Sequence, residues 1–263
     1  MRMMDAPDGL FLVAHAEDKV VCAAVVTKEG GTPLAELAPD IACGKRRVKG
    51  HLSAQSAASL IVDSSLATHN YWRVGRIATA SPYRGKGVGS EILSAIEDHA
   101  RQHEVDWLAT SFGHTNQLEQ FWRRNQFLSV RLGQKADKAS GLVSLLMLRP
   151  LSAGASRCVK DLSDAYQLDQ GHYTTNSSAH MTIITRRLQA FCNQTMALEQ
   201  TGKALPCFIA MLSQSGEQVP PILQARYIEK LTDQQMFSQF SLSGKKALNE
   251  AIRAATTELM KTS

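Results

Sequence analysis

A glycine-rich turn, Arg84-Gly85-Lys86-Gly87-Val88-Gly89, lies where the hydrophobic period of the chain changes. Before it, Trp72–Ala80 reads as a strand that stops at Ser81-Pro82, because proline cannot donate to a ladder. After it, apolar residues fall at 88, 92, 93, 96 and 100, one face of a helix reaching about His103. A strand, a tight turn and a helix start make an anion cradle. The helix start leaves unpaired N–H groups and a partial positive charge. Glycines at 85, 87 and 89 let the backbone approach an anion closely, and Arg84 and Lys86 add charge. The competing reading of these six residues alone is a glycine-rich turn with no ligand.

Two nucleotide-binding patterns are excluded. The dinucleotide fingerprint G-x-G-x-x-G fails, because Gly87-Val88-Gly89 is followed two and three positions on by Glu91 and Ile92. A P-loop needs Gly-Lys followed by Ser or Thr, whereas Gly-Lys at 44, 85, 202 and 244 is followed by Arg, Gly, Ala and Lys.

The flanking pattern sets the fold class. Gly9–Ala16 and Val20–Thr27 are short apolar runs around Glu17-Asp18-Lys19 and read as a hairpin. Residues 28–70 are less regular. Asp106–Phe112 has strand character, and Leu118, Phe121 and Trp122 mark a second helix. Phe127–Leu132 and Leu142–Arg149 are two further strands. Strands alternating with helices and ending in a strand pair predict an α/β fold, one mixed sheet flanked by helices. Pro150–Gly154 predicts a boundary between a first domain, 1–151, and a smaller, mainly helical domain, 152–263. In the second, His180–Gln200, Ile222–Leu231 and Ser243–Lys261 read as helices broken by Gly202, Pro206 and Pro220-Pro221.

Composition narrows the setting. No apolar stretch approaches the roughly 18 to 20 residues needed to span a bilayer. The N-terminal octapeptide lacks the apolar region of a secretory signal. Cys22, Cys43, Cys158, Cys192 and Cys207 are scattered without a C-x-x-C pair, which predicts neither a disulfide framework nor a metal site. A cytoplasmic protein is expected. The net charge of +5 divides as +3 for residues 1–151 and +2 for 152–263, so neither half is a basic tail. The densest basic run is Lys45-Arg46-Arg47-Val48-Lys49, a solvated loop on the plainer reading.

Arg84, Gly87 and Gly89 satisfy R/Q-x-x-G-x-G/A, and the segment therefore resembles the pyrophosphate-binding motif of GNAT acetyltransferases. A narrower likeness rests on Arg76-Ile77-Ala78, Ser111-Phe112-Gly113, Phe121-Trp122-Arg123-Arg124, Val130-Arg131-Leu132-Gly133, Ser140-Gly141 and Met147–Ser152. Gly44–Leu52 and Gln55 extend it. Together these resemble the tRNA(Met) cytidine acetyltransferase family, well over residues 1–152 and loosely over the tail.

The resemblance implies acetyl-CoA as cofactor and the N4 amine of the wobble cytidine of elongator tRNA(Met) as acceptor, by direct attack in a ternary complex. It places coenzyme A contacts on Ile77, Ala78 and Thr79, on Arg84, Gly85, Lys86, Gly87, Val88, Gly89 and Ser90, and on Gln117 and Arg124. Gln117 departs from the family's usual Glu, and Gln126 from the Gly usual before Phe127. Full-length members carry a helicase-like ATPase module that uses ATP. It is missing from this chain, which is expected to be a C-terminal fragment or a truncated relative with no ATP site of its own.

Many GNAT enzymes protonate the departing thiolate with a Tyr where this chain has Phe121-Trp122, read here as core packing. His114 is the nearest titratable candidate, histidine being the side chain that titrates closest to neutrality; His51 is weaker. RNA contacts are expected first at Lys45, Arg46, Arg47 and Lys49, then at Arg186, Arg187, Lys245 and Lys246. Two other functions fit the motif: acetylation of a protein or small-molecule amine, and a module that binds acetyl-CoA or tRNA but is inactive without its ATPase partner.

Overall fold

The computed structural model describes residues 9–172 and 180–262. The N-terminal octapeptide examined for a signal lies outside them. The chain divides into two compact units, one running to Ala42 and over Arg47–Tyr166, the other comprising Cys43–Arg46 and the residues from Gln167 onward.

Among the described residues the first unit is built on six strands in the order β1-β2-β3-β4-β6-β5. β1 (Gly9–Ala16) and β2 (Lys19–Gly30) form the expected hairpin, and β2 continues antiparallel onto β3 (Asn70–Thr79). β3 and β4 (Trp107–Gly113) are parallel, so they need a crossover, and α4 (Val88–Gln102) supplies it. Its face of Ile92, Leu93, Ile96 and Ala100 is buried in a core shared with Cys22, Ala24, Val26, Trp72, Val74, Leu108, Leu145 and Met147. β5 (Leu128–Ala136) and β6 (Val143–Pro150) close the sheet as a second hairpin. α5 (Asn116–Arg124) connects β4 to β5. Its Trp122 is buried between Phe112, with ring centroids 6.2 Å apart, and Phe127, at 4.8 Å.

The segment 28–70, irregular by its sequence pattern, holds three short helices: α1 (Ala38–Ala42), α2 (Leu52–Ile61) and α3 (Ser65–Thr68). α2 escapes notice because its buried face is made of Ser53, Ala54, Ser56, Ala57 and Ala58, small residues with little hydrophobic contrast. The buried Glu29 carboxylate anchors this helix to the sheet by accepting from Ser53 N–H at 2.5 Å and pairing with Arg73.

Among the described residues the second unit holds five α-helices: α7 (Met181–Cys192), α8 (Ala204–Ser215), α9 (Pro221–Tyr227), α10 (Asp233–Gln239) and α11 (Lys245–Thr262). α6 (Ala153–Asp169) begins in the first unit, and its last turn belongs to the second. α6, α8 and α10 were not anticipated, and α7 stops at Cys192, short of the expected Gln200. Pro206 does not break a helix. It falls in the first turn of α8, where a missing N–H costs no hydrogen bond. Among the described residues no helix is long and apolar enough to cross a membrane.

Candidate active site

The central feature is a separation of β3 from β4. Their parallel register runs from Tyr71↔Trp107 to Val74↔Thr110 and stops. Beyond it, Arg76–Thr79 pair with β2 alone, and Ser111–Gly113 pair with β6 alone. Gly75 is skipped between the pairs Val26↔Val74 and Val25↔Arg76, which makes it a bulge on β3. A bulge bends and twists its strand, and this one falls where β3 parts from β4. The result is a cleft walled by two strand segments with no ladder between them.

The glycine-rich turn leaves the sheet at the open edge of that cleft. Arg84 Nε donates to the Thr79 carbonyl at 3.0 Å, tying the turn to the strand end, and Lys86 Nζ lies 5.6 Å from the Tyr83 ring centre. Gly87 adopts φ +88° as the N-cap of α4, a left-handed conformation that favours glycine. Its carbonyl accepts from Ser90 and Glu91, while the N–H groups of residues 85–89 make no hydrogen bond among the described residues. The Phe121 ring packs on the helix start at Gly89, where a β-carbon would lie 3.4 Å from it, an ordinary contact distance. Free amides, helix start and two exposed cations fit a pyrophosphate.

The coenzyme residues expected from the sequence fall in three places. Ile77, Ala78 and Thr79 lie on the stretch of β3 that pairs with β2 but not with β4, and Arg84–Ser90 lie on the turn and first residues of α4. Gln117 and Arg124 are exposed at opposite ends of α5, seven residues apart, hence on one face but separated by about 10 Å along its axis. Arg124 donates Nε to the Gln120 carbonyl at 3.2 Å. Gln126, where glycine was expected, takes the left-handed conformation at φ +65° that ends α5.

His114 follows the last residue of β4, at the same edge as the turn. Its backbone N–H donates to the Val143 carbonyl at 2.7 Å, and its Nε2 lies 2.7 Å from Glu119 Oε2. The other Glu119 oxygen accepts from Arg123 Nε and Nη2, at 2.9 and 2.7 Å, and from Ser129 Oγ at 3.0 Å. Burial pushes the Glu119 carboxyl up, but hydrogen bonds from His114, Arg123 and Ser129 outweigh it and hold it below the usual glutamate range. Tyr166 stands beside this group, its hydroxyl pushed up by burial and then by the Glu119 charge. Sequence reasoning singled out His114 but missed Glu119. The available signal was Glu119 with Arg123 at i, i+4, five residues after a histidine that ends a strand.

Lys45, Arg46, Arg47 and Lys49 are exposed and form no ion pair among the described residues. Val48, between them, is held at both backbone groups by the Gln55 amide, each at 2.7 Å. His51, the weaker candidate, accepts from the Gly30 N–H through Nδ1 at 2.9 Å, a structural contact. Of the tail residues, Lys245 and Lys246 are exposed, whereas Arg187 is 2% exposed and bound to Asp169. That burial corrects the expectation that Arg187 meets RNA.

The family described as GNAT acetyltransferase 2 matches residues 98–152, from the second half of α4 through β6. The chain is 32% identical over 267 residues to the tRNA(Met) cytidine acetyltransferase TmcA of Salmonella typhimurium, covering 98% of this chain and 39% of that protein. It is 38% identical over 158 residues to the Yersinia pestis protein of the same name, covering 60% and 22%. To the Vibrio cholerae protein it is 28% identical over 274 residues, covering 98% and 38%. The chain thus spans about two fifths of the length of relatives that it matches nearly end to end.

Proposed function

We propose that this chain, similar over 98% of its length to a tRNA(Met) cytidine acetyltransferase and matched over residues 98–152 by the GNAT acetyltransferase 2 family, transfers an acetyl group from acetyl-CoA to the N4 amine of the wobble cytidine in elongator tRNA(Met). The observation that carries the reading is the end of the β3–β4 ladder at Val74↔Thr110, beside a glycine turn with unpaired amides.

Acetyl-CoA supplies the acyl group as a thioester. Arg84, Lys86 and the amides of residues 85–89 hold its pyrophosphate, and Arg124 adds positive charge beside the cleft. The backbone edge of Ile77, Ala78 and Thr79 that faces away from β2 takes up the pantetheine arm. An amide fixed there polarises the acyl carbonyl without having to reorient during the reaction. The cytidine amine is conjugated with its ring and weakly nucleophilic, so holding it against the acyl carbon supplies much of the rate. Cys22 and Cys207 are buried, and burial pushes the Cys207 thiol up to about 11, which disfavours either as an acetyl carrier and supports direct transfer over an acetyl-enzyme. Lys45, Arg46, Arg47 and Lys49 contact RNA phosphates, and the reaction proceeds in the cytoplasm, where its tRNA is found. The first 151 residues form the acetyltransferase domain, and the helical part from 152 contributes to tRNA binding.

A second reading has its own support. Because the chain spans only 39% of its Salmonella relative, a module that binds acetyl-CoA or tRNA but needs a helicase-like ATPase partner for turnover fits the same geometry. Incubation with labelled acetyl-CoA and tRNA(Met), with and without ATP, separates the two. Acetylcytidine formed by this chain alone supports the enzyme; coenzyme binding without product supports the module. Label on protein or small amines but never on tRNA would overturn the RNA substrate.

A further inference from the structure

The geometry points to Glu119 as a positioning residue that fixes the His114 proton on Nε2 and leaves the Nδ1 lone pair free to accept the proton lost by the acceptor amine. This rests on the acetyl-transfer reading above. An ionised carboxylate only accepts hydrogen bonds, so at 2.7 Å the imidazole must present Nε2–H to Glu119 Oε2. The carboxylate cannot easily turn away, because Arg123 and Ser129 hold its other oxygen. The imidazole is anchored from the backbone side too, since His114 N–H continues the sheet to Val143. Nδ1 makes no hydrogen bond among the described residues, and about a quarter of the side chain is exposed, 27%. A carboxylate holding one ring nitrogen protonated so that the other can act as base is the orienting logic of catalytic triads.

The placement suits the reaction. β3 and β4 are parallel, so Thr79 and His114 leave the sheet at the same edge, five and four residues beyond the last pair, Val74↔Thr110. The amine nitrogen forms its bond to the acyl carbon, and its proton passes to Nδ1. The C–S bond breaks with its electron pair on sulfur. The imidazolium then releases its proton to solvent, and the thiolate takes one up, giving the amide and free thiol.

The test begins with wild-type protein carrying 15N-histidine, at mildly alkaline pH, where long-range 1H–15N correlations report which nitrogen bears the proton. Nε2–H is expected for His114; a proton on Nδ1 overturns the proposal without reference to activity. In Glu119→Gln the amide can either donate or accept, so the preference should be lost. In the acetylcytidine assay kcat should fall about 10- to 100-fold with KM for acetyl-CoA unchanged. Adding Glu119→Gln to His114→Ala should cost nothing more. Independent, additive losses, or an unchanged kcat in Glu119→Gln, overturn it. A wild-type chain that makes no acetylated product sinks the functional reading instead, and the tautomer still decides the role of Glu119.

Discussion

Val74 and Thr110 are the last registered pair between β3 and β4, and the Thr110 hydroxyl closes that pair by donating to the Val74 carbonyl at 3.2 Å. The cleft proposed to take the coenzyme begins where the strands part. Below the pair, Tyr71, Trp72, Trp107 and Leu108 are buried on a continuous sheet. Above it, two strands run on with facing backbone edges and no partner between them, which is room for an extended ligand that can supply the missing hydrogen bonds.

The turn beside the cleft is sensitive to its backbone and its charge in different ways. Gly87→Ala places a β-carbon at φ +88°, a cost of about 1–2 kcal/mol. It should lower the melting temperature and weaken acetyl-CoA binding together. Arg84→Gln should keep the melting temperature within about 2 °C while weakening coenzyme binding about tenfold, as read by calorimetric titration. Loss of stability with intact binding in Gly87→Ala would contradict the cradle.

Gln126 occupies a left-handed position at φ +65° and is exposed, so its side chain contributes no packing there. Gln126→Gly should raise stability by roughly 0.5–1 kcal/mol in urea unfolding, the relief of backbone strain less the entropy of the added glycine.

Asp169 holds the buried Arg187 by two parallel bonds, Nη1–Oδ1 at 2.6 Å and Nη2–Oδ2 at 2.9 Å. Asp169→Ala strands most of that charge and should destabilise the second unit by about 3 kcal/mol. Acetyl-CoA binding, assigned to the first unit, should survive. Equal loss of both would show that the units do not unfold separately.

Glu119 carries a pH signature. Its folded-state pKa is depressed, so its contribution to stability is complete above the unfolded glutamate value and is lost as pH falls through the lower folded value. Glu119→Gln should therefore show a shallower loss of melting temperature than wild type on acidification through that window, and no difference in slope at neutral pH.

The sheet was legible from sequence because its signals are local. β1 matches its expected span, and β3 and α4 meet at the glycine turn, where period 2 gives way to period 3.6. The helices that escaped have other causes. α2 buries Ser and Ala where a periodicity search looks for Leu and Ile, and α8 carries Pro206 in a first turn that tolerates it. At the site, Arg84–Gly89 could be read because its chemistry is contiguous. The strand separation could be expected only from the likeness to GNAT acetyltransferases, because no local residue pattern shows which residues of distant strands pair. Glu119, on α5, was missed because its partner Ser129 lies on β5. Arg187 shows the opposite failure: a surface cation by composition became a core residue once its partner, 18 positions earlier, was known.

Hydrogen exchange of this chain with and without acetyl-CoA tests the cleft most directly, because the ligand must pair with named backbone groups. Binding between β3 and β4 predicts slowed exchange in peptides covering 75–79 and 85–90, with α8 unchanged. Unaltered exchange in both peptides under saturating acetyl-CoA, or protection confined to the helical unit, would contradict it.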